Sequence, residues 1–155
     1  MKIEKIIKPK QQVVSITTKT AVENLQHLIG PTFMKLVSYI QQEEADIVST
    51  PFVSYRNLKE DGQVDGDLVE VEIGFPISKL IRESDEFKSY TLPSYLAMSA
   101  LFKGSYDDLT SPYTAILERI AAENGHFTGV SYEYYLSDEE ISSDQHETIL
   151  EVVYQ

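Results

Sequence analysis

The chain has 155 residues, of which 42% are hydrophobic, and its 13 Lys and Arg against 25 Asp and Glu give a formal net charge of -12 at pH 7. This negative charge repels phosphate backbones and argues against direct nucleic-acid binding, while the absence of cysteine excludes disulfides, thiolate nucleophiles and cysteine-ligated metals. No apolar run approaches the roughly 20 residues that cross a bilayer and the start lacks a signal-peptide core, so we expect residues 1–155 to form one cytoplasmic domain without membrane contact.

The first half of the chain combines strand patterns with one amphipathic helix. Residues 12–20 have the composition of a strand. Gly30 and Pro31 then have the pattern of a helix start, with proline at the first helical position, and apolar residues at helical spacing follow. Strand patterns return at residues 51–57 and 67–77, and the second of these alternates strictly.

The second half has the same order of elements. Residues 89–104 form a strand pattern that Pro93 marks as an edge or a break. A helix pattern begins at Ser111, before a proline, and ends at Asn124, before a glycine. The remaining strand patterns cover residues 129–138 and 146–154.

A constant shift of 80 positions relates the two halves, pairing for example Leu36 with Ile116 and Tyr55 with Tyr135. We therefore predict an α+β fold built from two consecutive β-α-β-β (SH2-like) pseudo-repeats, at about residues 1–80 and 81–155. A cleft between such repeats is a preferred place for a ligand.

The remaining sequence patterns give no evidence for a metal, a cofactor or a further ligand contact. The acidic loop 61–72 has the spacing of a calcium loop, but Gln63 replaces a ligand and the flanks are strands, so we expect no metal there. No glycine-rich nucleotide motif is present, and we expect no cofactor. The histidines are dispersed and are interpreted as surface or hydrogen-bonded residues: His27, His126 and His146. Three aromatics at helical spacing are interpreted as packing residues: Phe33, Tyr39 and Tyr113.

Glu133 lies among aromatics on a predicted strand, where it shares a face with Tyr135. The shift of 80 makes Val53 and Tyr55 their equivalents, so both strands would face the same cleft. One interpretation is that Glu133 is a solvated residue on the exposed face of an amphipathic strand. If it is buried, an unpaired carboxylate is costly, and a cationic aromatic ligand would offset that cost. A desolvated glutamate could also serve as a general base toward water.

Three segments together resemble the GyrI-like small-molecule-binding proteins, which include the effector-binding domains of bacterial multidrug-sensing transcription regulators. EVEIGFPI is similar to the family's strand with a vGvPv turn, and YEYYLSD to its glutamate-bearing strand. The run from LPSYLAMSALFKG to ENGHFTG is similar to the family's central helical segment with a GpY motif. The segments cover residues 70–77, 132–138 and 92–129.

The resemblance implies an aromatic cleft with an acidic residue at its base, and Glu133 matches the family's motif glutamate. It implies a stand-alone binder of hydrophobic or cationic aromatic small molecules, in drug or toxin protection or sensing. One alternative is a hydrolase that opens the cyclopropane of DNA-alkylating genotoxins with the same glutamate and tyrosines. A further alternative is a protein-interaction module of the gyrase-inhibitor type, with an unspecified protein partner.

On this basis we expect Glu133 to supply the negative charge, and Tyr55 and Tyr135 to stack on the ligand or donate hydrogen bonds. In the hydrolase alternative, Glu133 activates water and Tyr55 is the second catalytic residue. The expected partner is an aromatic, cationic small molecule. Further candidates for the cleft walls are Phe52, Phe75 and Tyr90.

Overall fold

The computed structural model describes residues 1–137 and 142–155, which form eight strands and two α-helices. The last residue of the YEYYLSD segment, Asp138, lies outside the described residues. The strands are β1 (Ile3–Lys8), β2 (Gln11–Thr20), β3 (Phe52–Tyr55), β4 (Val69–Pro76), β5 (Lys88–Leu92), β6 (Tyr95–Lys103), β7 (Phe127–Tyr135) and β8 (Glu147–Tyr154), and the helices are α1 (Leu25–Gln42) and α2 (Thr110–Ala122).

The described strands form one antiparallel sheet in the order β1-β6-β8-β7-β3-β4-β2-β5. Its centre is the pair β3 and β7, which come from opposite halves of the chain. The edges cross the boundary we expected between residues 1–80 and 81–155. β1 pairs with β6 of the second half, and β5 pairs with β2 of the first.

Both helices lie on the same face of this sheet. α1 packs with β2, β3 and β4 in a core that contains Leu36, Ile40 and Val53. α2 packs with β6 and β8 in a second core that contains Ile116 and Leu150. Val53 and Leu150 are both directly opposite Glu133 on neighbouring strands, and opposite residues in a sheet share a face. The helices therefore flank the central strands.

The first helix begins earlier than predicted. α1 starts at Leu25, so Pro31 is inside the helix and Gly30 does not cap it. An interior proline removes one backbone hydrogen bond. The early start is favoured because Leu25 is buried, with Leu28 and Ile29 packed against the same core. A later start was predicted because proline is found most often at the first position of a helix.

The second helix ends as predicted but begins two residues early. α2 begins at Thr110, so Ser111 and Pro112 lie inside the helix and Ser111 does not cap it, and its last residue is Ala122. Asn124 has a φ of 60°, the left-handed conformation that ends helices, which confirms the predicted stop. Among the described residues, no helix is long and apolar enough to span a membrane.

One strand pattern is divided as Pro93 indicated, and one strand was missed. Residues 89–104 contribute to two strands, β5 and β6, which are interrupted at Pro93. The strand β1 was not predicted. Among its apolar residues, Ile3 and Ile6 are partly buried, while Ile7 is 76% exposed. The sequence of this edge strand therefore lacks the alternation of apolar and polar residues by which a strand is predicted.

Candidate functional site

A cleft of about 930 Å³ opens between α1 and α2 above the central strands. α1 contributes Leu25, Ile29 and Phe33 to its walls, and α2 contributes Tyr113. Its floor includes Glu133, together with tyrosines of β3 and β7. Because the helices pack against opposite halves of the sheet, a gap remains between them over the middle of the sheet, and that gap is the cleft.

Glu133 is almost completely buried in the floor, with 4% of its surface exposed. Three phenol hydroxyls surround its carboxylate. Tyr113 donates to Oε2 at 2.6 Å, and Tyr135 donates to Oε1 at 2.6 Å. Tyr55 approaches the same Oε1 at 3.4 Å. The carboxylate is therefore held in one orientation by residues from β3, β7 and α2.

Burial has the largest effect on the ionisation of Glu133 and raises its pKa above the ordinary 4.5. The hydrogen bonds from the three tyrosines act in the opposite direction because they stabilise the carboxylate. The pKa of each of these tyrosines is raised in turn, first by burial and then by the nearby carboxylate. The hydroxyls thus stay protonated and remain donors at neutral pH.

The other two buried glutamates of the described chain each have a cation. Glu72 is 3.7 Å from the Arg56 guanidinium and accepts hydrogen bonds from Ser15 and Tyr90. Glu151 pairs with Lys8 at 3.2 Å. Glu133 takes part in none of the ion pairs found among the described residues. A buried carboxylate without a counter-charge is costly, and here only the phenol hydrogen bonds offset that cost.

Three predicted site residues come together as expected. Val53 is directly opposite Glu133 in the β3–β7 pair, so these two positions, which the shift of 80 relates, lie on the same face of the sheet. The hydroxyls of Tyr55 and Tyr135 are 3.5 Å apart above the carboxylate. All of the polar residues proposed for the ligand from these two strands therefore line the cleft.

The three proposed wall residues lie elsewhere. Phe52 and Tyr90 belong to the cluster on the sheet face opposite the helices, where Phe52 packs edge-on against Tyr132. Phe52 directly precedes Val53, which lies on the helix-bearing face, and neighbouring residues of a strand point to opposite faces. Phe75 is on the helix-bearing face but is 6% exposed and packs behind Phe33, with ring centroids 5.6 Å apart. None of the three lines the cleft, contrary to our expectation.

Two helical aromatics were assigned to packing but reach the cleft. Tyr113 donates to Glu133, and Phe33 lines the α1 wall. A signal for both was present, since the shift of 80 that pairs Tyr55 with Tyr135 also pairs Phe33 with Tyr113. Helical spacing alone does not show which face of a helix meets the core and which meets a cleft.

Two further polar residues are buried. Glu72 of β4 is 6% exposed, on the face of the sheet opposite the helices. It borders a smaller polar cavity of about 340 Å³ with Arg56 and Tyr90. His146 was expected to be exposed or hydrogen-bonded, and it is instead buried at the cleft. No group of three or more His, Asp or Glu side chains in the described ranges is arranged to hold a metal ion.

Comparison with known proteins agrees with this architecture. The model of the GyrI-like small molecule binding domain matches residues 1–153, and the chain therefore belongs to that family. No curated protein matches the sequence with significance.

Several solved structures share the fold at low sequence identity. EcmrR in its complex with DNA has a TM-score of 0.84 and 14% identity; the match covers 99% of this chain and 57% of EcmrR, so this chain spans little more than half of that regulator. The EcmrR C-terminal domain alone gives 0.77 and 15%, over 99% and 97% of the two chains. A hydrolase from Listeria innocua gives 0.66 and 13%, over 99% and 92%. SAV2435 bound to tetraphenylphosphonium gives 0.60 and 12%, over 100% and 94%.

Proposed function

We propose that this GyrI-like domain binds hydrophobic aromatic cations in the cleft between α1 and α2, with Glu133 as the counter-charge. The observation that carries the proposal is the contrast among the three buried glutamates of the described chain. Glu72 and Glu151 each have an internal cation, and Glu133 has three phenols. A ligand cation would supply the missing charge beside a carboxylate that is only 4% exposed.

The cleft walls suit the rest of such a ligand. Its volume of about 930 Å³ is in the range of sites for drug-sized molecules. The tyrosine rings around Glu133 offer faces to a cation, and Phe33 with Ile29 offers apolar contact. SAV2435, which shares the fold, is a protein solved with the aromatic cation tetraphenylphosphonium bound.

Two ions of matched shape and opposite charge test this proposal. We expect calorimetric titration to show that the wild type binds tetraphenylphosphonium and does not measurably bind tetraphenylborate. Glu133→Gln should weaken phosphonium binding by at least tenfold, because it removes the charge and keeps the side-chain size.

Glu72→Gln is the matched control. Glu72 is also buried and also accepts a tyrosine hydrogen bond, but it lies on the opposite face of the sheet. Its substitution should leave phosphonium binding within twofold of the wild type. Equal binding of the two ions, or equal losses in both variants, would contradict the proposal.

The same geometry favours hydrolysis as a second candidate function. A carboxylate of raised pKa lies within hydrogen-bond distance of several protonated phenols, which places a base beside acids in one cleft. Glu133 would take a proton from water as the water oxygen bonds to a cyclopropane carbon. The ring carbon–carbon bond breaks, its electrons move into a conjugated carbonyl, and that oxygen takes a proton from Tyr55.

Mass spectrometry distinguishes turnover from binding. The product of this step is the substrate plus one water, so incubation with a cyclopropane-bearing alkylating agent should give a species heavier by one water. Glu133→Gln should abolish its formation, and Tyr55→Phe should slow it. An intact substrate after prolonged incubation with the wild type would leave binding as the function.

A further inference from the structure

A second polar position exists in the cleft, at the start of β8. His146 lines the cleft and is 9% exposed, and neither of its ring nitrogens has a hydrogen-bond partner in the described part of the structure. Its ring stacks on Tyr106, with centroids 4.5 Å apart and an interplanar angle of 18°. The stacking fixes the plane of the imidazole, and its two nitrogens are left for another group.

The next residue on the same face of β8 has the same property. Thr148 is completely buried, and its hydroxyl oxygen has no partner among the described residues. Thr148 is directly opposite Tyr135, the tyrosine that donates to Glu133. Polar groups therefore continue from the carboxylate across β7 to β8. The polar groups around Glu133 hydrogen-bond one another, whereas those of Thr148 and His146 have no hydrogen-bond partner among the described residues.

An unsatisfied buried polar group is unfavourable, and most such groups in folded proteins have a partner. A neutral imidazole has one donor and one acceptor nitrogen. A hydroxyl group can accept a hydrogen bond from the N–H nitrogen or donate one to the other nitrogen, whereas a purely apolar ligand would leave both nitrogens unsatisfied. Glu133 is less available for this role because three tyrosines already occupy its oxygens.

We propose that His146 is a specificity-determining residue that hydrogen-bonds a ligand hydroxyl, so that the preferred ligand is an aromatic cation bearing a hydroxyl group away from its charge. This inference rests on the proposed binding of aromatic cations by Glu133. It adds a requirement for a ligand hydroxyl to the requirement for a positive charge. The two requirements are separate because Glu133 lies on β7 and His146 directly precedes β8.

Three probes separate the hydroxyl from the rest of the ligand. Tetraphenylphosphonium is the parent ion, and the other two carry a single 4-hydroxyl or 4-methyl group on one ring. We expect the wild type to bind the 4-hydroxyl ion about five- to tenfold more tightly than the 4-methyl ion, the size of one net hydrogen bond.

Substitution of the imidazole should remove this preference. In His146→Phe the 4-hydroxyl and 4-methyl ions should bind equally, whereas a general loss of affinity would weaken the binding of both ions and keep their ratio. Phenylalanine retains a ring to stack on Tyr106, and the melting temperature of the variant verifies that it folds. His126→Phe, which changes an exposed histidine outside the cleft lining, should keep the full preference.

A direct measurement covers the case in which the His146→Phe protein does not fold. Nitrogen NMR of the wild type, which has only three histidines, should show the imidazole signals of His146 shifting with the 4-hydroxyl ion and not with the 4-methyl ion. Failure of the parent ion to bind would overturn the proposed function and this inference together. Glu133-dependent binding of the parent ion without a hydroxyl preference would overturn this inference alone, as would a preference that survives in His146→Phe.

Discussion

Glu133 experiences two opposing influences, burial that raises its pKa and phenol hydrogen bonds that lower it, and burial is the larger. In the unfolded chain the residue has its ordinary pKa. The folded state therefore holds this proton more tightly than the unfolded state does. The stability that follows is complete below the ordinary pKa of 4.5 and is lost as the pH rises through the raised folded pKa.

Substitution of Glu133 by glutamine should remove this pH dependence. We expect the free energy of unfolding of the wild type, relative to Glu133→Gln, to fall between pH 4 and pH 8. The fall is about 1.4 kcal/mol for every pH unit that separates the folded and unfolded pKa values. Urea denaturation of both proteins across this range measures it. A difference that stays constant, or rises with pH, would contradict the direction assigned to this pKa.

Tyr113 tests the opposing influence. Tyr113→Phe removes the 2.6 Å hydrogen bond to Glu133 and should raise the pKa of that carboxyl further, because the bond stabilises the ionised form. Carbon NMR of the Glu133 carboxyl during a pH titration reports the change. The variant should also lose about 1 kcal/mol of stability. A carboxyl that titrates at the wild-type pH would show that the bond is not formed in solution.

At the scale of elements, α1 forms one wall of the cleft although its interior contains Gly30 and Pro31, two residue types that destabilise a helix. Gly30 is in the helix, and a Cβ built on it meets no atom within 4 Å outside its two chain neighbours and the helix's own backbone. Alanine gains about 1 kcal/mol over glycine inside a helix, but the ring of Pro31 disfavours the helical conformation for a preceding residue that has a Cβ. Gly30→Ala should therefore raise the free energy of unfolding by less than about 1 kcal/mol. Chemical denaturation followed by circular dichroism measures the change.

Gly66 is the control for this prediction. A Cβ at Gly66 also meets no atom within 4 Å, but its φ is +102°, a conformation that L side chains rarely adopt. Gly66→Ala should lower the free energy of unfolding by about 1 kcal/mol. Equal effects at the two positions would show that space, not backbone conformation, decides the outcome.

The elements also show what the sequence could and could not predict. Positions with strict alternation or clear helix stops, such as residues 67–77 and Asn124, were predicted well because the local chain alone decides them. The start of α1 was missed because tertiary burial of Leu25 outweighs the local preference at Pro31. Phe52 and Tyr113 were misassigned because the face of a residue depends on the partners of its strand or helix.

At the scale of the whole molecule, the edge strands join the two halves. β1 covers the outer edge of β6, and β5 that of β2, so each half is completed by a strand from the other. The Lys8–Glu151 ion pair belongs to this exchange, since Lys8 ends β1 and Glu151 lies on β8. This exchange was not visible in the sequence, because a repeat found by a constant shift does not show which edges pair.

Substitution of Lys8 tests how much the pairing of β1 with the second half contributes to the stability of the fold. Lys8→Met leaves Glu151, whose side chain is 5% exposed, without its cation. We expect a loss of about 2 kcal/mol, less than for a fully buried pair because Lys8 itself is 26% exposed. Lys2→Met, at an 84% exposed side chain of the same strand region, should change stability by less than about 0.5 kcal/mol. Equal losses in the two variants would contradict a specific role for the pair.

The most direct test of the central claim locates the ligand cation. Tetraphenylarsonium has the shape and charge of tetraphenylphosphonium, and its arsenic gives an anomalous X-ray signal that marks the charged centre. A crystal structure of the complex should place arsenic within about 6 Å of the tyrosine rings around Glu133, between α1 and α2. Arsenic on the opposite face of the sheet, near Arg56 and Glu72, or no bound ion at saturating concentration, would contradict the assignment of this cleft to aromatic cations.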